Sequence, residues 1–344
     1  MIFLKDTLWL DDSKNALVII DQTLLPNEEY FAELTTTDEI ADAIKRLRVR
    51  GAPAIGVAAA CGAYLAAKKA LRCGADFYPA VRGDIAILAA SRPTAHNLFW
   101  ALERMEKALA SSDSPAASVA AMKAEAERII DEDIASCTAI GEYGAPLFRD
   151  GMRVLTHCNA GRLAAVRYGT ALAPIYRAAE KGVNLKVYAD ETRPLLQGAR
   201  LTAYELCSAG IDCTLLCDNM AAGLMAKGEI DAVIVGGDRV AANGDTANKT
   251  GTLSVAVAAK HFGIPFYVAV PYSTIDPSCA TGNDIVIEQR SPDEVTTLWY
   301  EKPMSPADVK VYNPAFDVAP GELITAIITD RGLLRPPYAF NPKT

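Results

Sequence analysis

Reactive and charged side chains follow short apolar runs in the second half of the sequence, directly after each run ends. Cys158 follows the first run, Glu191 and Arg193 follow the second, and Asp238 follows the fourth. Each loop alone is a weak signal, because loops are usually polar. If one edge of a sheet brings them together, a thiol, carboxylates and arginines could combine acid–base chemistry with the binding of an anionic substrate.

The apolar runs themselves predict the strands of a parallel β-sheet. Helical stretches of about 10–15 residues separate the runs, and this alternation is typical of a sheet covered on both faces. Ligands of open parallel sheets bind beyond the carboxyl ends of the strands, so the loops after the runs are the candidate site. The predicted strands are Arg153–Thr156, Leu185–Ala189, Cys213–Cys217, Ala232–Val235 and Phe266–Val270.

The first part of the chain has a helical pattern and predicts a separate domain. The residues Thr36-Thr37-Asp38-Glu39 fit a capping box, which predicts a helix that runs to about Arg48. Short alternating runs before Thr36 predict a small antiparallel sheet. The predicted domains are residues 1–145 and 146–344. Three further helices are predicted: an Ala-rich one after Pro53, one after Thr94 and a long one from Pro115 to Tyr143.

Composition and charge exclude several classes of protein. Hydrophobic residues make up 51% and charged residues 22% of the chain, which is typical of a soluble globular protein. The net charge of −8 argues against a nucleic-acid partner or an anionic membrane surface. The longest apolar stretch, Ala52 to Ala67, contains Pro53 and is shorter than the roughly 20 residues that cross a bilayer. The N-terminus does not resemble a signal peptide, so we predict a cytoplasmic protein.

No metal or cofactor is predicted. The eight cysteines contain no CxxC pair and are predicted to be thiols. The three histidines lack zinc-site spacing with a second ligand. The sequence also lacks a GxGxxG motif after a strand, a Walker loop, an HExxH motif and a GxSxG motif.

Three predicted helix starts combine a positive charge with small or polar residues. These are Arg50-Gly51-Ala52-Pro53, the residues from Arg92, and Asn248-Lys249-Thr250-Gly251-Thr252. Helix N-termini present N–H groups to anions, and arginine and lysine add charge, so the pattern indicates a phosphate cradle. The alternative is ordinary helix capping with solvated charges.

Cys158 and Asp238 each have a structural alternative. Most cysteines in an apolar context are inert core thiols, and an aspartate between Gly-Gly and Arg239 could form a turn or a salt bridge. A carboxyl in an apolar pocket has a raised pKa and can act as an acid. His157 precedes Cys158, but neighbouring strand residues point to opposite faces, so no Cys–His dyad is predicted.

Longer motifs around these residues resemble those of the methylthioribose-1-phosphate isomerase family of methionine salvage. They occur in order and cover most of the chain. The wider superfamily includes ribose-1,5-bisphosphate isomerases and regulatory subunits of a translation initiation factor exchange complex. The matching stretches are RGAPAIGVAAA at 50–60, SRPTAHNLFWAL at 91–102, THCNAG at 156–161, ADETRPLLQGARLTAYEL at 189–206, DNMAAGLM at 218–225, VGGDRVAANGDTANKTGT at 235–252, FGIPFYVAVPYSTID at 262–276, IEQR at 287–290 and NPAFDVAPGELITAIIT at 313–329.

The resemblance implies an isomerase that converts 5-methylthioribose 1-phosphate to 5-methylthioribulose 1-phosphate without a cofactor. It also implies a homodimer and an α/β fold, with a Rossmann-like parallel sheet domain preceded by a smaller, mainly helical domain. By resemblance, Cys158 and Asp238 are the catalytic pair. The substrate-binding positions fall on Arg50, Gly51, Ala52, Arg92, Gln197, Asn248 and Lys249.

The chemistry of this reaction assigns expected roles to the pair. Phosphate on the anomeric oxygen blocks ordinary ring opening, so an acid is needed at the ring oxygen. Asp238, protonated in a dry pocket, is the expected acid, and Cys158 is the expected partner in the second step. In that step hydrogen moves from C2 to C1, and the sequence leaves open whether it moves as a proton or as a hydride.

Two arginines depart from the expected family pattern. Arg162 stands where a small or hydroxyl residue is expected, and Arg167 follows five residues later. They are expected to be solvated helix charges or, alternatively, to mark a different C5 substituent. The alternative substrates are therefore 5-deoxyribose 1-phosphate and ribose 1,5-bisphosphate. A non-catalytic nucleotide-sensing subunit is disfavoured because Cys158 and Asp238 are both present.

Overall fold

The computed structural model describes residues 5–74, 76–93 and 95–340, which divide into two compact units. Described residues up to Cys137, together with 162–169, form the N-terminal unit, and the remainder forms the second unit. The predicted boundary after residue 145 differs from this division. Segment 162–169 joins the N-terminal unit because the Thr7 N–H donates to the Val166 carbonyl at 2.9 Å, a long-range pairing that no local pattern indicates.

The described part of the N-terminal unit contains a small antiparallel sheet and helices, as predicted. The sheet has three strands, with the second in the middle. Its strands are β1 (Leu8–Asp11), β2 (Ala16–Ile20) and β3 (Phe31–Leu34). The helices are α1 (Thr37–Lys45), α2 (Ala52–Cys73), α3 (Phe77–Ala90), α4 (His96–Ala110) and α5 (Pro115–Gly144), the last of which continues into the second unit.

Local sequence signals account for most of these helices. The capping box predicted at the start of α1 is present, with the Glu39 N–H donating to Thr36 Oγ1 at 3.2 Å and the Thr36 N–H donating to Glu39 Oε2 at 3.0 Å. Helix α3 was not predicted, because Pro79 and Gly83 break its pattern. Proline is tolerated in the first turn of a helix, so α3 forms nevertheless.

Helix α2 is the core helix of the N-terminal unit. Its 22 residues are long and apolar enough to cross a membrane by length and composition, but 83% of its most apolar window is buried inside the structure. Core helices of globular proteins pass the same test. Ile40, Tyr64, Leu88 and Leu98, from four different helices of the unit, belong to one buried apolar cluster.

The second unit is built on a seven-stranded sheet and a smaller four-stranded sheet. The strands are β4 (Arg153–Thr156), β5 (Lys186–Asp190), β6 (Asp212–Leu216), β7 (Ala232–Val235), β8 (Arg239–Ala241), β9 (Thr246–Lys249), β10 (Phe266–Ala269), β11 (Ile275–Asp276), β12 (Phe316–Ala319), β13 (Ala326–Thr329) and β14 (Gly332–Leu334). The helices are α6 (Ala173–Glu180), α7 (Ala203–Ser208), α8 (Ala221–Ala226), α9 (Thr252–His261) and α10 (Asp293–Thr296).

The large sheet has the strand order of a dinucleotide-binding fold. Its parallel strands follow the order β6-β5-β4-β7-β10-β13, and β14 pairs antiparallel at the edge. The predicted Rossmann-like α/β fold is therefore confirmed. All five predicted strands are present, each within one residue at either end. The strand order reverses direction between β4 and β7, which is where ligands of such sheets bind.

The small sheet has the order β11-β8-β9-β12 and was not predicted. Its strands are short, and β12 pairs antiparallel with β9, so that Asp317 lies opposite Asn248 and Phe316 opposite Lys249. Such pairing depends on tertiary contacts between distant segments. It brings Asp317 to the start of α9, which follows β9 in the chain.

Candidate active site

The predicted catalytic residues lie on two neighbouring loops at the reversal point of the large sheet. Cys158 follows β4, Asp238 follows β7, and these two strands pair directly. The loops also approach closely, because a Cβ added at Gly236 would lie only 2.6 Å from the Ala160 Cβ. Glycine at position 236 therefore allows the loop that carries Asp238 to pack against the loop that carries Cys158.

The backbone of Cys158 is held in an unusual conformation. Its φ is 66°, in the left-handed region, and its side chain is half-buried. The Cys158 N–H donates to Thr192 Oγ1 at 2.8 Å, and the Thr202 hydroxyl donates to the Cys158 carbonyl at 2.7 Å. Hydroxyl groups thus hold the backbone of this residue on both sides.

His157 is buried, and the partners of its two ring nitrogens are residues other than Cys158. Its Nδ1 lies 3.0 Å from Asp190 Oδ2, and its Nε2 lies 2.9 Å from the Thr250 carbonyl oxygen. Both ring nitrogens are thus engaged, which agrees with the prediction against a Cys–His dyad. The imidazole instead ties the loop after β4 to the turn before α9.

The electrostatics of this pair favour a charged imidazole. Burial alone would lower the pKa of His157, but the hydrogen bond and negative charge of Asp190 outweigh it, so the pKa is raised. Asp218 and Asp317 add negative charge nearby. Burial also raises the pKa of Asp190, and the hydrogen bond from His157 opposes that rise.

This raised pKa predicts a pH dependence of stability. The contribution of His157 is complete below its unfolded pKa of about 6.5 and is lost as the pH rises through the higher folded value. In urea unfolding, the stability advantage of the wild type over His157→Gln should therefore be largest near pH 6 and shrink at higher pH. The advantage corresponds to about 1.4 kcal/mol for each unit by which the pKa is raised.

The exposed residue His261 provides the matched control. His261→Gln should change stability little. An advantage of the wild type over His157→Gln that grows as the pH rises would contradict the assignment.

His157, Asp190 and Asp218 also offer three potential metal ligands within 4.8 Å of one another. Hydrogen bonds already account for this geometry. The two Asp218 oxygens accept the N–H groups of Thr192 and Arg193, each at 2.7 Å, and Asp190 Oδ2 is engaged by His157. The three side chains therefore form a hydrogen-bonded cluster in which His157 and Asp190 are buried, Asp218 is partly exposed and Asp190 Oδ1 has no hydrogen-bond partner among the described residues.

Asp238 differs from its expected environment. The Asp238 N–H donates to the Ala247 carbonyl at 2.8 Å, but the side chain is exposed, whereas the sequence predicted a dry pocket. The physical reason is that the Gly236-Gly237 turn carries the residue out past the end of β7. Arg239 beside it pairs with Asp276.

The other predicted binding residues of the second unit are largely buried around the same sheet edge. Gln197 precedes the π-helical turn Gly198–Thr202, and its Oε1 is buried without a hydrogen-bond partner among the described residues. Asn248 Nδ2 donates to Thr252 Oγ1 at 3.0 Å. The Lys249 ammonium donates to the Ala315 carbonyl at 3.0 Å and lies over the Phe316 ring.

Two N–H groups at the start of α9, which the predicted phosphate cradle would use, already have a partner. Asp317 Oδ2 accepts the Gly251 N–H at 2.7 Å, and Oδ1 accepts the Leu253 N–H at 3.0 Å. The pairing of β12 with β9 places the Asp317 carboxylate at this helix start. A carboxylate of the chain itself therefore caps this helix, and the phosphate cradle stays a prediction here.

Arg50, Gly51, Ala52 and Arg92 belong to the N-terminal unit. Arg50 and Arg92 are half-buried, and Gly51 caps α2 with a φ of 91°. A Cβ at Gly51 would lie 2.5 Å from the backbone of Ala164 in the same unit, so glycine is needed here for packing alone. Among the described residues, no side chain caps this helix start.

Arg162 and Arg167 are not the solvated helix charges that were expected. Arg162 is buried, and its Nη1 donates to the Lys5 carbonyl at 3.4 Å. Arg167 forms a two-pronged ion pair with Asp6, at 2.6 and 2.8 Å. Both residues lie in segment 162–169, which packs into the N-terminal unit.

The sequence reasoning missed several residues that shape the site. Thr192, Thr202, Asp190, Glu205 and Asp317 contact the loops of the predicted catalytic and binding residues. All five fall within the stretches that carry the family resemblance, at 189–206 and 313–329, and that resemblance was the available signal. Their roles depend on partners from distant parts of the chain.

Similarity to known proteins supports the same family. A methylthioribose-1-phosphate isomerase from Symbiobacterium thermophilum is 60% identical over 337 residues, which cover 97% of this chain and 94% of that protein. A 5-deoxyribose 1-phosphate isomerase from Moorella thermoacetica is 56% identical over 326 residues, covering 94% of this chain and 93% of that protein.

Two crystal structures resemble the fold over nearly the whole chain. The 5-methylthioribose 1-phosphate isomerase of Pyrococcus horikoshii OT3 has a TM-score of 0.90 at 43% identity, covering 97% of this chain and 94% of that chain. A protein named translation initiation factor eIF-2B, subunit delta, from A. fulgidus has a TM-score of 0.88 at 44% identity, covering 97% of both chains.

These similarities confirm the resemblance predicted from the motifs. The matching family model is described as the Initiation factor 2 subunit family, and it spans residues 48–336. The match covers well over half of the chain, and the chain therefore belongs to the Initiation factor 2 subunit family.

Proposed function

We propose that this chain is an aldose–ketose isomerase that converts 5-methylthioribose 1-phosphate to 5-methylthioribulose 1-phosphate in methionine salvage. The observation that carries the proposal is the placement of Cys158 and Asp238 on neighbouring loops at the reversal point of the sheet. The name of the 60% identical relative supports the same reaction. The second candidate is 5-deoxyribose 1-phosphate, which the name of the 56% identical relative favours.

In the proposed mechanism Asp238 protonates the ring oxygen and Cys158 assists the transfer of hydrogen from C2 to C1. The exposure of Asp238 in the chain alone means that bound substrate must exclude water from its carboxyl before it can act as an acid. The side chains of His157, Asp190 and Asp218 stay behind the loop and are assigned no proton transfer.

The proposed binding residues have chemistry that suits a sugar phosphate. The buried Gln197 Oε1 can accept a hydrogen bond from a substrate hydroxyl, which would satisfy an otherwise unpartnered acceptor. We further propose that Arg50, Arg92 and Lys249 supply positive charge to the phosphate. Gly51, Ala52 and Asn248 complete the proposed substrate-binding set.

Removing these charges should weaken substrate binding. A charge-assisted hydrogen bond contributes about 1.5–3 kcal/mol, so Arg50→Ala, Arg92→Ala and Lys249→Ala should each raise KM and the inhibition constant of inorganic phosphate about tenfold or more. Arg46→Ala is the matched control, because Arg46 is exposed and pairs with Asp42 one helical turn away. Unchanged constants in all three variants would place the phosphate elsewhere.

Arg162 and Arg167, in segment 162–169, are the candidate cations for binding a phosphate at C5 of the substrate. A second phosphate needs at least one accessible cation, but Arg167 is paired with Asp6, and Arg162 is buried and donates to the Lys5 carbonyl. We therefore propose an apolar pocket for C5 and a preference for methylthio or deoxy sugars over ribose 1,5-bisphosphate.

The deciding experiment measures ketose formation from ribose 1-phosphates that carry methylthio, hydrogen, hydroxyl or phosphate at C5. The methylthio compound should give the highest kcat/KM, and Arg162→Met should leave its value within a few-fold. A preference for the bisphosphate that collapses in Arg162→Met would replace this substrate assignment. Turnover of none of the four would instead favour a non-catalytic regulatory subunit, an alternative that the name of the A. fulgidus protein, an initiation factor subunit, also suggests.

We also propose that the protein is a cytoplasmic homodimer. The family resemblance supports the dimer, and the cytoplasmic location is supported by the absence of disulfides among the eight cysteines, all of which lie in the described residues. Sedimentation velocity of the purified chain should give twice the mass of one chain. A single species at the monomer mass would remove the dimer from the proposal.

A further inference from the structure

The backbone of Cys158 requires a physical explanation beyond its place in the sheet. Its φ of 66° is unfavourable for a residue with a Cβ, and glycine or asparagine is the usual choice there. Such strained residues persist only where surrounding contacts determine them, and they concentrate at functional sites. The contacts that fix the backbone conformation of Cys158 therefore also fix the position of its thiol.

One of these contacts comes from the loop after β5. The Thr192 hydroxyl donates its only hydrogen to the Asp190 carbonyl at 3.0 Å, so the same oxygen is left to accept the Cys158 N–H at 2.8 Å. Thr192 is fully buried and has a left-handed φ of 63° itself. The end of β5 thus presents a fixed acceptor to the amide of Cys158.

The second contact comes from the π-helical turn Gly198–Thr202. The Thr202 hydroxyl donates to the Cys158 carbonyl at 2.7 Å, and its oxygen accepts from Asn159 Nδ2 at 3.0 Å. Asn159 Nδ2 also donates to the buried Glu205 carboxylate, whose other oxygen accepts the Tyr176 hydroxyl at 2.9 Å. The donor direction of Thr202 is therefore set by a buried network.

The geometry of the π-helical turn adds a second sign of function. Such turns are rare and are frequently found at functional sites. This one is tied to the loop after β5 by the Ala199 N–H, which donates to the Glu191 carbonyl at 3.2 Å. The two threonines are thus held by connected segments and reach Cys158 from opposite sides of its backbone.

We infer that Thr192 and Thr202 are positioning residues that hold the Cys158 backbone in its left-handed conformation and so aim the thiol at the substrate. The inference rests on the proposed catalytic role of Cys158. Neither threonine contacts the reacting atoms in this account. Their effect on the reaction passes entirely through the orientation of residue 158.

The test removes each hydroxyl while keeping the side-chain shape. Thr192→Val and Thr202→Val should each lower kcat about 10- to 100-fold with KM within twofold, because a small misplacement of a reacting group has an effect of this size. Thr192→Ser and Thr202→Ser restore the hydroxyl and should restore kcat to within a few-fold. The alkylation rate of Cys158 by iodoacetamide, followed by peptide mass spectrometry, should change in the valine variants and return in the serine variants.

Thr329→Val is the matched control. Thr329 is also fully buried, donates to the Gly332 carbonyl at 3.0 Å and accepts the Arg331 N–H at 3.1 Å. This substitution should lower Tm as much as the other two, with kcat and the Cys158 alkylation rate unchanged. A merely structural role for Thr192 and Thr202 would make all three valine variants behave alike.

The outcomes separate this inference from the proposed function. Full activity in Cys158→Ser would remove the catalytic role of the thiol, whatever the threonine variants do. An inactive Cys158→Ser protein with wild-type kcat and alkylation rates in both valine variants would overturn the positioning inference alone. If the valine variants fail to fold, amide hydrogen exchange in the wild-type protein decides. Slow exchange of the Cys158 N–H supports the positioning inference, and exchange at the rate of an open loop overturns it.

Discussion

Cys158→Ser is expected to fold normally and to lose most turnover, by about 10²-fold or more, the range expected when a group that transfers a proton is removed. Serine is close to cysteine in size, and the hydrogen bonds from Thr192 and Thr202 reach the backbone N–H and carbonyl of residue 158. The backbone geometry should therefore survive the change. Steady-state kinetics with 5-methylthioribose 1-phosphate, together with Tm, measure the two effects separately.

The control for this prediction is Cys217→Ser. Cys217 is exposed and follows β6, at the same edge of the sheet but two strands away from β4. This variant should keep wild-type kcat and KM. A folded Cys158→Ser protein with a rate near that of Cys217→Ser would show that the thiol takes no part in the reaction.

Asp238→Asn is expected to lower kcat about 10²-fold or more while KM changes little, because the acid acts mainly in the transition state. Asparagine keeps the shape of the side chain and removes the titrating proton. The backbone contact of the residue, from the Asp238 N–H to the Ala247 carbonyl, is unaffected. In the wild type, kcat should fall when the catalytic acid loses its proton. This fall should be absent from the pH profile of Asp238→Asn.

Asp212→Asn provides a matched change at an exposed aspartate at the start of β6. It should leave the pH profile intact. If Asp238→Asn also leaves kcat intact, the acid lies elsewhere, and Glu191, in the loop after β5, becomes the next candidate. The variant Glu191→Gln would then show the loss expected of Asp238→Asn.

The sequence predicted the elements that depend on local signals. The capping box at Thr36 and the five apolar strands were found because their patterns lie within a few residues of chain. The placement of Cys158 and Asp238 at one edge of the sheet followed from strand alternation and the sheet-edge rule, whereas the pairing of their strands did not. The family resemblance then supplied roles that no pattern of residues could have assigned.

The rest could not be predicted because it depends on distant partners. Thr192 and Thr202 meet Cys158 across 34 and 44 residues of chain, and Asp317 meets Gly251 across 66. The exposure of Asp238 and the burial of Arg162 are likewise properties of tertiary packing. Sequence patterns predict a left-handed backbone conformation from glycine, so they do not predict it for a cysteine.

The capping of α9 by Asp317 has a consequence for synthesis on the ribosome. The segment with Asn248 and Lys249 leaves the exit tunnel well before β12, the strand that pairs with it and carries the capping carboxylate. A nascent chain can therefore form β4, the strand that precedes Cys158, at a time when the proposed binding segment with Asn248 and Lys249 is not yet paired with β12. If Asn248 and Lys249 bind substrate as proposed, we expect this competence to be acquired late in translation, and a message broken before the codon for Phe316 should yield a chain that lacks the strand paired with this segment.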